Sequence, residues 1–243
     1  TTARSIPFVR PVNMKTLSDC RLYAFVDTAW LHGRRPQEVT QQLCDGGSDL
    51  IQLRAKDWSP DDIRRLAAEL LPITSRAEVW LVINDHPSIA SEVGSGVCHL
   101  GQEDFFGKGH THVSEIKTYD PKLKIGLSTH APSQAERAVA GGADYVAVGP
   151  VYATDTKPTA KPVTLDYVRW AAANIRTPWF AIGGITLQNL DEVLAAGARR
   201  ICVVSAILNA PDVVETCQKF KNRLLSARFE REAVPRGALH SNH

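Results

Sequence analysis

Short apolar runs alternate along this chain with segments that carry helix signals. Runs of this length with few polar residues are typical of strands covered on both faces, as in a parallel sheet. Strands that alternate with helices indicate repeated βα units. The candidate strands are residues 21–27, 50–56, 79–85, 96–101, 124–130, 145–151, 178–184 and 200–206.

The helix signals are clearest at residues 59–71. There Ser59 can cap the helix, Pro60 suits its first turn, and Asp61 and Asp62 favour the positive end of the helix dipole. Weak internal sequence similarity supports the repeated βα unit. Four segments each place glycine at a helix end before the next strand, namely "GGSDLIQL", "GSGVCHLG", "GGADYVAV" and "GARRICVV".

A chain of 243 residues suits one parallel barrel, a fold that typically takes about 250 residues. Eight strands, each followed by a helix and without a long linker, favour a closed α/β barrel, the (β/α)8 TIM barrel, over a doubly wound open sheet. We expect an N-terminal extension over residues 1–20, one barrel domain over 21–227, and a mobile tail over 228–243.

Composition excludes several classes of protein. The net charge of +2 argues against a broad nucleic-acid surface. The five cysteines are an odd number without CxxC spacing, which indicates buried free thiols in a reducing compartment. No stretch has the roughly 20 apolar residues of a membrane span, and the N-terminus lacks the apolar core of a signal peptide. The sequence therefore predicts a cytoplasmic protein without a membrane partner.

In such a barrel the loops after the strands build the active-site mouth. Cations gather after strands 2 and 6, carboxylates after strands 3 and 4, and glycine or small residues after strands 7 and 8. The polar residues at these strand ends are Gln52, Arg54, Lys56, Asn84, Asp85, Gln102, Glu103, Asp104, Ser128, Thr129, His130, Thr154 to Lys157, Gly183, Gly184 and Ser205.

The charged pairs at the mouth each have two interpretations. Arg54 and Lys56 point to the same side of their strand, where they can bind an anionic ligand, or one of them can pair internally with a carboxylate. Asp85 and Asp104 can converge on Mg²⁺, which commonly takes one or two carboxylates together with substrate phosphate oxygens. The alternative for both aspartates is helix capping.

The loops "AIGGIT" and "VVSAIL" follow strands 7 and 8, where barrels frequently bind phosphate through backbone N–H groups. Glycine also simply permits tight turns there. The histidines show no HExxH spacing; His99, within a strand, is expected to be a satisfied core residue, and His130 is ambiguous. The residues alone thus indicate two anion sites, one lined by cations and Mg²⁺ and one by backbone amides.

Seven ordered motifs, "QLRAK", "IND", "HLGQED", "GLSTH", "GPVYATDTK", "AIGGI" and "VVSAI", resemble those of thiamine-phosphate synthase over about residues 20–220. The resemblance implies a transferase that joins hydroxymethylpyrimidine diphosphate to a thiazole phosphate, with Mg²⁺ as cofactor, and releases pyrophosphate. It implies no protein nucleophile, because pyrophosphate can leave a stabilised pyrimidine cation that the thiazole nitrogen captures.

The resemblance also assigns residues, motif by motif. It assigns Arg54, Lys56, Ser128 and Lys157 to catalysis at the leaving pyrophosphate, and Asp85 and Asp104 to Mg²⁺. The pyrimidine diphosphate would be bound by Gln52, Leu53, Arg54, Ala55, Lys56, Asn84, Ser128 and Lys157. The thiazole partner would be bound by Thr154, Asp155, Thr156, Gly184, Val204 and Ser205.

Three other functions remain open at this stage. A thiazole tautomerase of the same barrel needs neither metal nor pyrophosphate, and "GQED" with "TDTK" argues against it. A non-catalytic thiamine-phosphate binding module would lack a cation or carboxylate at the mouth. A sugar-phosphate epimerase or aldolase is disfavoured because strand 6 shows no evident Schiff-base lysine.

Ala55 and His86 depart from the thiamine-phosphate synthase family, which often has charged residues at these positions. The expected partners are the two small substrates, and a homo-oligomer is among the states that the sequence allows.

Overall fold

The structure, a computed structural model, describes residues 14–117, 120–154 and 161–232, with side chains as far as residue 227. Its eight parallel strands pair in chain order and close into a barrel, so the predicted (β/α)8 fold is confirmed and the open-sheet alternative is wrong. The strands are β1 (Leu22–Asp27), β2 (Leu50–Arg54), β3 (Trp80–Asn84), β4 (Val97–Leu100), β5 (Lys124–Thr129), β6 (Tyr145–Val148), β7 (Trp179–Ile182) and β8 (Ile201–Cys202).

Helices follow the strands and surround the barrel. They are α1 (Pro36–Asp45), α2 (Pro60–Arg76), α3 (Pro87–Val93), α4 (Gln102–Phe105), α5 (Pro132–Ala140), α6 (Thr164–Asn174), α7 (Leu190–Ala195), α8 (Ser205–Leu208) and α9 (Val213–Glu232). Short 3-10 helices cover Thr28–Trp30, Phe106–Lys108 and Val113–Ile116. Ser59 caps α2 as predicted, because its side chain accepts a hydrogen bond from the backbone N–H of Asp62.

Several boundaries differ from the sequence predictions. Strand β6 ends at Val148, since Pro150, two residues on, has no N–H for a sheet ladder. Strand β8 covers only Ile201–Cys202, because the chain turns at Val204 into α8. Helix α9 continues to Glu232, so residues 228–232 of the predicted tail belong to a helix. Most of the predicted N-terminal extension and the rest of the tail lie outside the described residues.

The alternation of side chains along the strands creates two hydrophobic layers. One face of each strand packs against the helices, as Leu22, Ala24 and Val26 of β1 do. The other face fills the barrel interior with large side chains, among them Tyr23 and Tyr145, which are completely buried. Polar side chains of this inward face therefore lie above an apolar floor, at the carboxyl ends of the strands.

The cysteines are buried and free, as expected from their spacing. Burial raises the pKa of the Cys20, Cys44 and Cys217 thiols to about 12, so they stay protonated. Within the described ranges, no helix combines the length and the apolar character that crossing a membrane requires.

Candidate active site

A cavity opens at the carboxyl ends of the strands and contains most of the residues that the sequence assigned to binding and catalysis. Strands β2 to β5 and the loops after β3, β4, β6, β7 and β8 all contribute to it. The predicted site residues that line it are Gln52, Arg54, Lys56, Asn84, Asp85, Asp104, Ser128, Thr154, Gly184, Val204 and Ser205.

Two predicted site residues that the structure describes do not line this cavity. Leu53 and Ala55 alternate with the lining residues at the end of β2 and just after it, so their side chains are buried in the layer between strands and helices. At these two positions only the backbone can reach a ligand. Asp155, Thr156 and Lys157 lie outside the described residues, and their assignment stays a prediction.

Arg54 is held by a carboxylate that sequence reasoning missed. Its guanidinium donates to Asp27 at the end of β1, with 2.7 Å between Nη1 and Oδ2. The Asp27 side chain is 1% exposed and that of Arg54 is 15% exposed. The alternative of internal pairing therefore applies to Arg54, although its side chain also lines the cavity. The signal for Asp27 was its place at the carboxyl end of a predicted strand.

Lys56, Asp85 and Asn84 form a second polar group. Asp85 Oδ2 accepts from Lys56 Nζ at 2.9 Å and from Asn84 Nδ2 at 2.6 Å. Asp85 has a φ of 62°, a left-handed conformation that aspartate tolerates better than most residues. Helix α3 begins after His86, which makes no side-chain capping bond. The Asp85 carboxylate thus pairs with Lys56 and does not cap α3.

Asp104 lies in the first turn of α4, after β4, and lines the cavity. Its Oδ1 is 3.7 Å from Lys108 Nζ, and its side chain is 33% exposed. Among the described residues, no cluster of three or more histidine, cysteine, aspartate or glutamate side chains could hold a metal by itself. Two cavity-lining carboxylates nevertheless fit Mg²⁺ when a substrate's phosphate oxygens and water complete the shell.

Ser128 belongs to a buried polar network. Its Oγ lies 2.9 Å from His99 Nε2, and His99 Nδ1 lies 3.0 Å from the Tyr145 hydroxyl. His99 is buried and hydrogen-bonded, as predicted, but it also lines the cavity, which the sequence did not indicate. The ambiguous His130 is exposed, and its Nδ1 contacts the Gly149 carbonyl.

Two consecutive glycines shape the loop after β7. Gly183 and Gly184 have φ values of 101° and 64°, which glycine adopts without strain. A Cβ on Gly183 would come within 2.3 Å of Pro150, and one on Gly184 within 2.6 Å of the Ala153 carbonyl oxygen. Glycine is therefore required for the loop after β7 to pack against the loop after β6.

Comparison with known proteins identifies the family that shares this arrangement. The family model described as thiamine monophosphate synthase matches residues 22–207. A thiamine-phosphate synthase of Thermus thermophilus is 45% identical over 76% of this chain and 87% of its own length. That of Acidothermus cellulolyticus is 43% identical over 87% of this chain and 98% of its own length.

Solved structures agree with these sequence relatives. The thiamine phosphate pyrophosphorylase of Pyrococcus furiosus superposes with a TM-score of 0.76 at 25% identity, covering 88% of this chain and 99% of that one. A 3-hexulose-6-phosphate synthase, at 16% identity and a TM-score of 0.56, shares the fold alone.

Proposed function

The chain belongs to the thiamine monophosphate synthase family, and we propose that the cavity at its barrel mouth performs this family's condensation. The enzyme is a transferase of thiamine biosynthesis. It joins 4-amino-2-methyl-5-hydroxymethylpyrimidine diphosphate to a thiazole phosphate, giving thiamine monophosphate and pyrophosphate. The tautomerase and the non-catalytic module are not favoured, because the named relatives are synthases.

The observation that supports this use of the cavity is the convergence of charges on it. Arg54 at the end of β2 and Lys56 just after it line the cavity, and the carboxylates of Asp85 and Asp104 line it from the loops after β3 and β4. Lys56 is 47% exposed, so its ammonium can turn from Asp85 to an arriving diphosphate at little cost. Arg54 is fixed by the buried Asp27 and would act as a preset positive charge.

We assign Mg²⁺ to Asp85 and Asp104. Bound there with the diphosphate, the ion would neutralise part of the charge that develops on the leaving pyrophosphate. Asn84, which donates to the Asp85 carboxylate, would keep that carboxylate oriented. Metal binding would displace the Lys56 ammonium from Asp85 and leave it free to bind the diphosphate. Binding of the metal and binding of the diphosphate would therefore be coupled.

Departure of pyrophosphate is the step that the side chains assist. Arg54, Lys56, Lys157 and the hydroxyl of Ser128 would stabilise the negative charge as the carbon–oxygen bond breaks. The electrons of that bond leave with pyrophosphate, and the aminopyrimidine ring stabilises the cation that remains. The thiazole nitrogen then forms the new bond, so the protein contributes orientation and charge rather than a nucleophile.

The thiazole phosphate would bind on the opposite side of the cavity. Thr154, Gly184, Val204 and Ser205 line that side, and Asp155 and Thr156 are assigned to it by their place in the same motif. Hydroxyl groups and backbone N–H groups can bind a phosphate without adding a positive charge. A further positive charge there would repel the cationic side chains that bind the leaving pyrophosphate.

Measured pyrophosphate release tests this function directly. We expect release, and equimolar thiamine monophosphate, only when both substrates and Mg²⁺ are present. Omitting either substrate or chelating the metal should abolish both products. Thiazole isomerisation without pyrophosphate release would contradict the proposal in favour of the tautomerase, and product formation undiminished by a chelator would contradict the metal assignment.

A further inference from the structure

Five buried or half-buried polar side chains form one continuous chain of hydrogen bonds across the barrel interior. The Gln52 amide nitrogen donates to the Tyr23 hydroxyl. The Tyr23 hydroxyl lies 3.0 Å from that of Tyr145, which lies 3.0 Å from His99 Nδ1. His99 Nε2 ends the chain, 2.9 Å from Ser128 Oγ.

The Gln52 amide at one end favours one direction for this chain, although the distance between the two tyrosine hydroxyls alone would let either one donate to the other. An amide nitrogen can only donate, so Tyr23 accepts from Gln52. The order in which each hydroxyl accepts once and donates once then runs from Tyr23 to Tyr145, and from Tyr145 to His99 Nδ1. In this order the imidazole carries its hydrogen on Nε2 and donates it to Ser128.

Burial keeps both tyrosines in the form that this order needs. Removal from water raises the pKa of Tyr23 and of Tyr145 well above the ordinary value, so both retain their hydroxyl hydrogens at neutral pH. Both side chains are completely buried among the aromatic rings of the interior, where Tyr145 stacks on His99 and contacts Phe180 edge to face. Close packing thus surrounds both tyrosine rings of the network.

Ser128 is the end of the chain that faces the cavity. Because its oxygen accepts from His99, its own hydrogen is left to point to another acceptor, and its side chain lines the cavity. In the opposite order Ser128 would donate to His99 and could offer a ligand only lone pairs, which repel a phosphate. The two orders thus differ in whether Ser128 can assist a leaving anion.

We propose that Tyr23, Tyr145 and His99 are positioning residues that turn the Ser128 hydroxyl hydrogen toward the substrate's diphosphate. The proposal rests on the function assigned above and adds to it two buried tyrosines that do not line the cavity, together with His99, which acts through Ser128. It also explains why hydrogen-bonding aromatic residues occupy an interior that apolar side chains alone could fill.

A double-mutant cycle on Tyr145 and Ser128 tests the proposal through activity. Tyr145→Phe removes one hydroxyl and should lower kcat about five- to tenfold, as expected for one lost hydrogen bond, with KM within about twofold. In a Ser128→Ala background the same change should alter kcat less than about twofold, because no hydroxyl remains to be oriented. An equal loss of kcat in both backgrounds would overturn the proposal.

Tyr167→Phe is the matched control. Tyr167 is also buried, and its hydroxyl donates to Thr129 Oγ1 at 2.7 Å on the helix side of β5. The two Tyr→Phe variants should lower the melting temperature by similar amounts, while only Tyr145→Phe lowers kcat. If Tyr167→Phe lowered kcat as much, loss of rigidity would explain both results and the positioning role would be wrong.

The tautomer of His99 gives a readout that does not depend on activity. In ¹⁵N spectra of the histidine-labelled full-length chain, with the His99 signal assigned by its absence in His99→Gln, we expect the Nε2–H form. The signal should change in Tyr145→Phe and not in Tyr167→Phe. An Nδ1–H form would overturn the proposal, and it would do so even if the wild-type chain formed no thiamine monophosphate, a result that would separately contradict the proposed function.

Discussion

At the scale of single residues, two neighbouring carboxylates of α4 have different surroundings. Asp104 lines the cavity, whereas Glu103 is exposed and does not. Asp104→Asn should raise the Mg²⁺ concentration needed for half-maximal activity by about tenfold or more, since it removes one of the two carboxylates assigned to the ion. Glu103→Gln has the same loss of charge and should leave the requirement unchanged. Titration of initial rate against Mg²⁺ distinguishes them, and equal shifts would indicate a general charge effect.

The two Lys-Pro pairs after β6 are a second residue-scale comparison. Lys157 follows the Thr-Asp-Thr segment and is assigned to pyrophosphate, whereas Lys161 is exposed, shortly before α6. Lys157→Ala should lower kcat/KM for the pyrimidine diphosphate by about 10²-fold or more, as for one contact to a developing anion. Lys161→Ala should stay within about threefold, as is usual for surface changes. Similar losses in both variants would show that the motif register of this loop is wrong.

Residue identities at the mouth were predictable because side chains alternate along strands. That rule placed Gln52, Arg54 and Lys56 in the cavity, and it also accounts for the exclusion of Leu53 and Ala55. The partners of the mouth residues were not predictable. Asp27 contacts Arg54 on the next strand along the chain, and His99 contacts Ser128 in the same way, so both contacts depend on the register of neighbouring strands, which the sequence does not show.

At the scale of elements, β5 and β6 fit together through one glycine. Gly126 pairs with Tyr145 in the sheet register, and a Cβ on Gly126 would come within 2.0 Å of the Tyr145 ring. Because that ring is completely buried, it has no free space to enter. The glycine in "GLSTH" therefore makes room for the network's central hydroxyl, a role that the sequence could not separate from a simple turn or strand preference.

Gly126→Ala should consequently lower the free energy of unfolding by about 1–3 kcal/mol, the usual cost of overpacking a core. It should also lower kcat, because the displaced ring moves its hydroxyl from His99. The control is Gly107→Ala, where the nearest atom to the new Cβ would be 3.6 Å away. Urea unfolding and steady-state kinetics of both variants check this. Normal kcat in a destabilised Gly126→Ala would contradict the link between the glycine and the network.

The existence of each strand could be predicted from the sequence, whereas the residues at which the strands end could be predicted less well. Continuous apolar runs located all eight strands, since burial on both faces leaves a strong local signal. The ends depend on where loops turn into the mouth. Residues 203 and 204 have the apolar character of a strand but lead into α8, because the pairing of β8 with its neighbours ends at Cys202.

At the scale of the whole molecule, the sequence similarity between "GGSDL" and "GGADY" marks two equivalent structural aspartates. Asp49 precedes β2 and accepts from the backbone N–H of Arg21 at 2.7 Å, at the start of β1. Asp144 precedes β6 and accepts from the N–H of Ile125 at 2.8 Å, in β5. Each carboxylate thus ties its strand to the preceding one at the amino-terminal end of the barrel, away from the cavity.

The two aspartates differ in what else they hold. Lys117 contacts Asp144 at 2.9 Å. Asp49 is contacted by two lysines from opposite ends of the chain, Lys15 at 2.6 Å and Lys221 of α9. Burial acts to raise the pKa of Asp49, but Lys221, Lys15 and the backbone hydrogen bond outweigh it, so the pKa is lowered. The carboxylate of Asp49 therefore stabilises the closure of the barrel only while it is ionised.

Asp49→Asn should lower the free energy of unfolding at pH 7 by about 3 kcal/mol or more, since it leaves the Lys221 side chain, which is only 14% exposed, without its counterion. Asp144→Asn, with one lysine and a more exposed carboxylate, should lose about 1 kcal/mol. A lowered native pKa means that the contribution of Asp49 is complete above its unfolded pKa of about 3.9 and is lost as the pH falls through the native value. The difference in unfolding free energy between wild type and Asp49→Asn should therefore be constant from pH 7 to about pH 5 and shrink below about pH 4, as followed by urea unfolding across that range.

Because residues at this end of a barrel serve stability, KM at pH 7 should be unchanged in the folded Asp49→Asn variant. Equal losses in the two variants, or a difference independent of pH down to the acid transition, would show that the shared backbone hydrogen bond, and not the pair of lysines, is what Asp49 contributes.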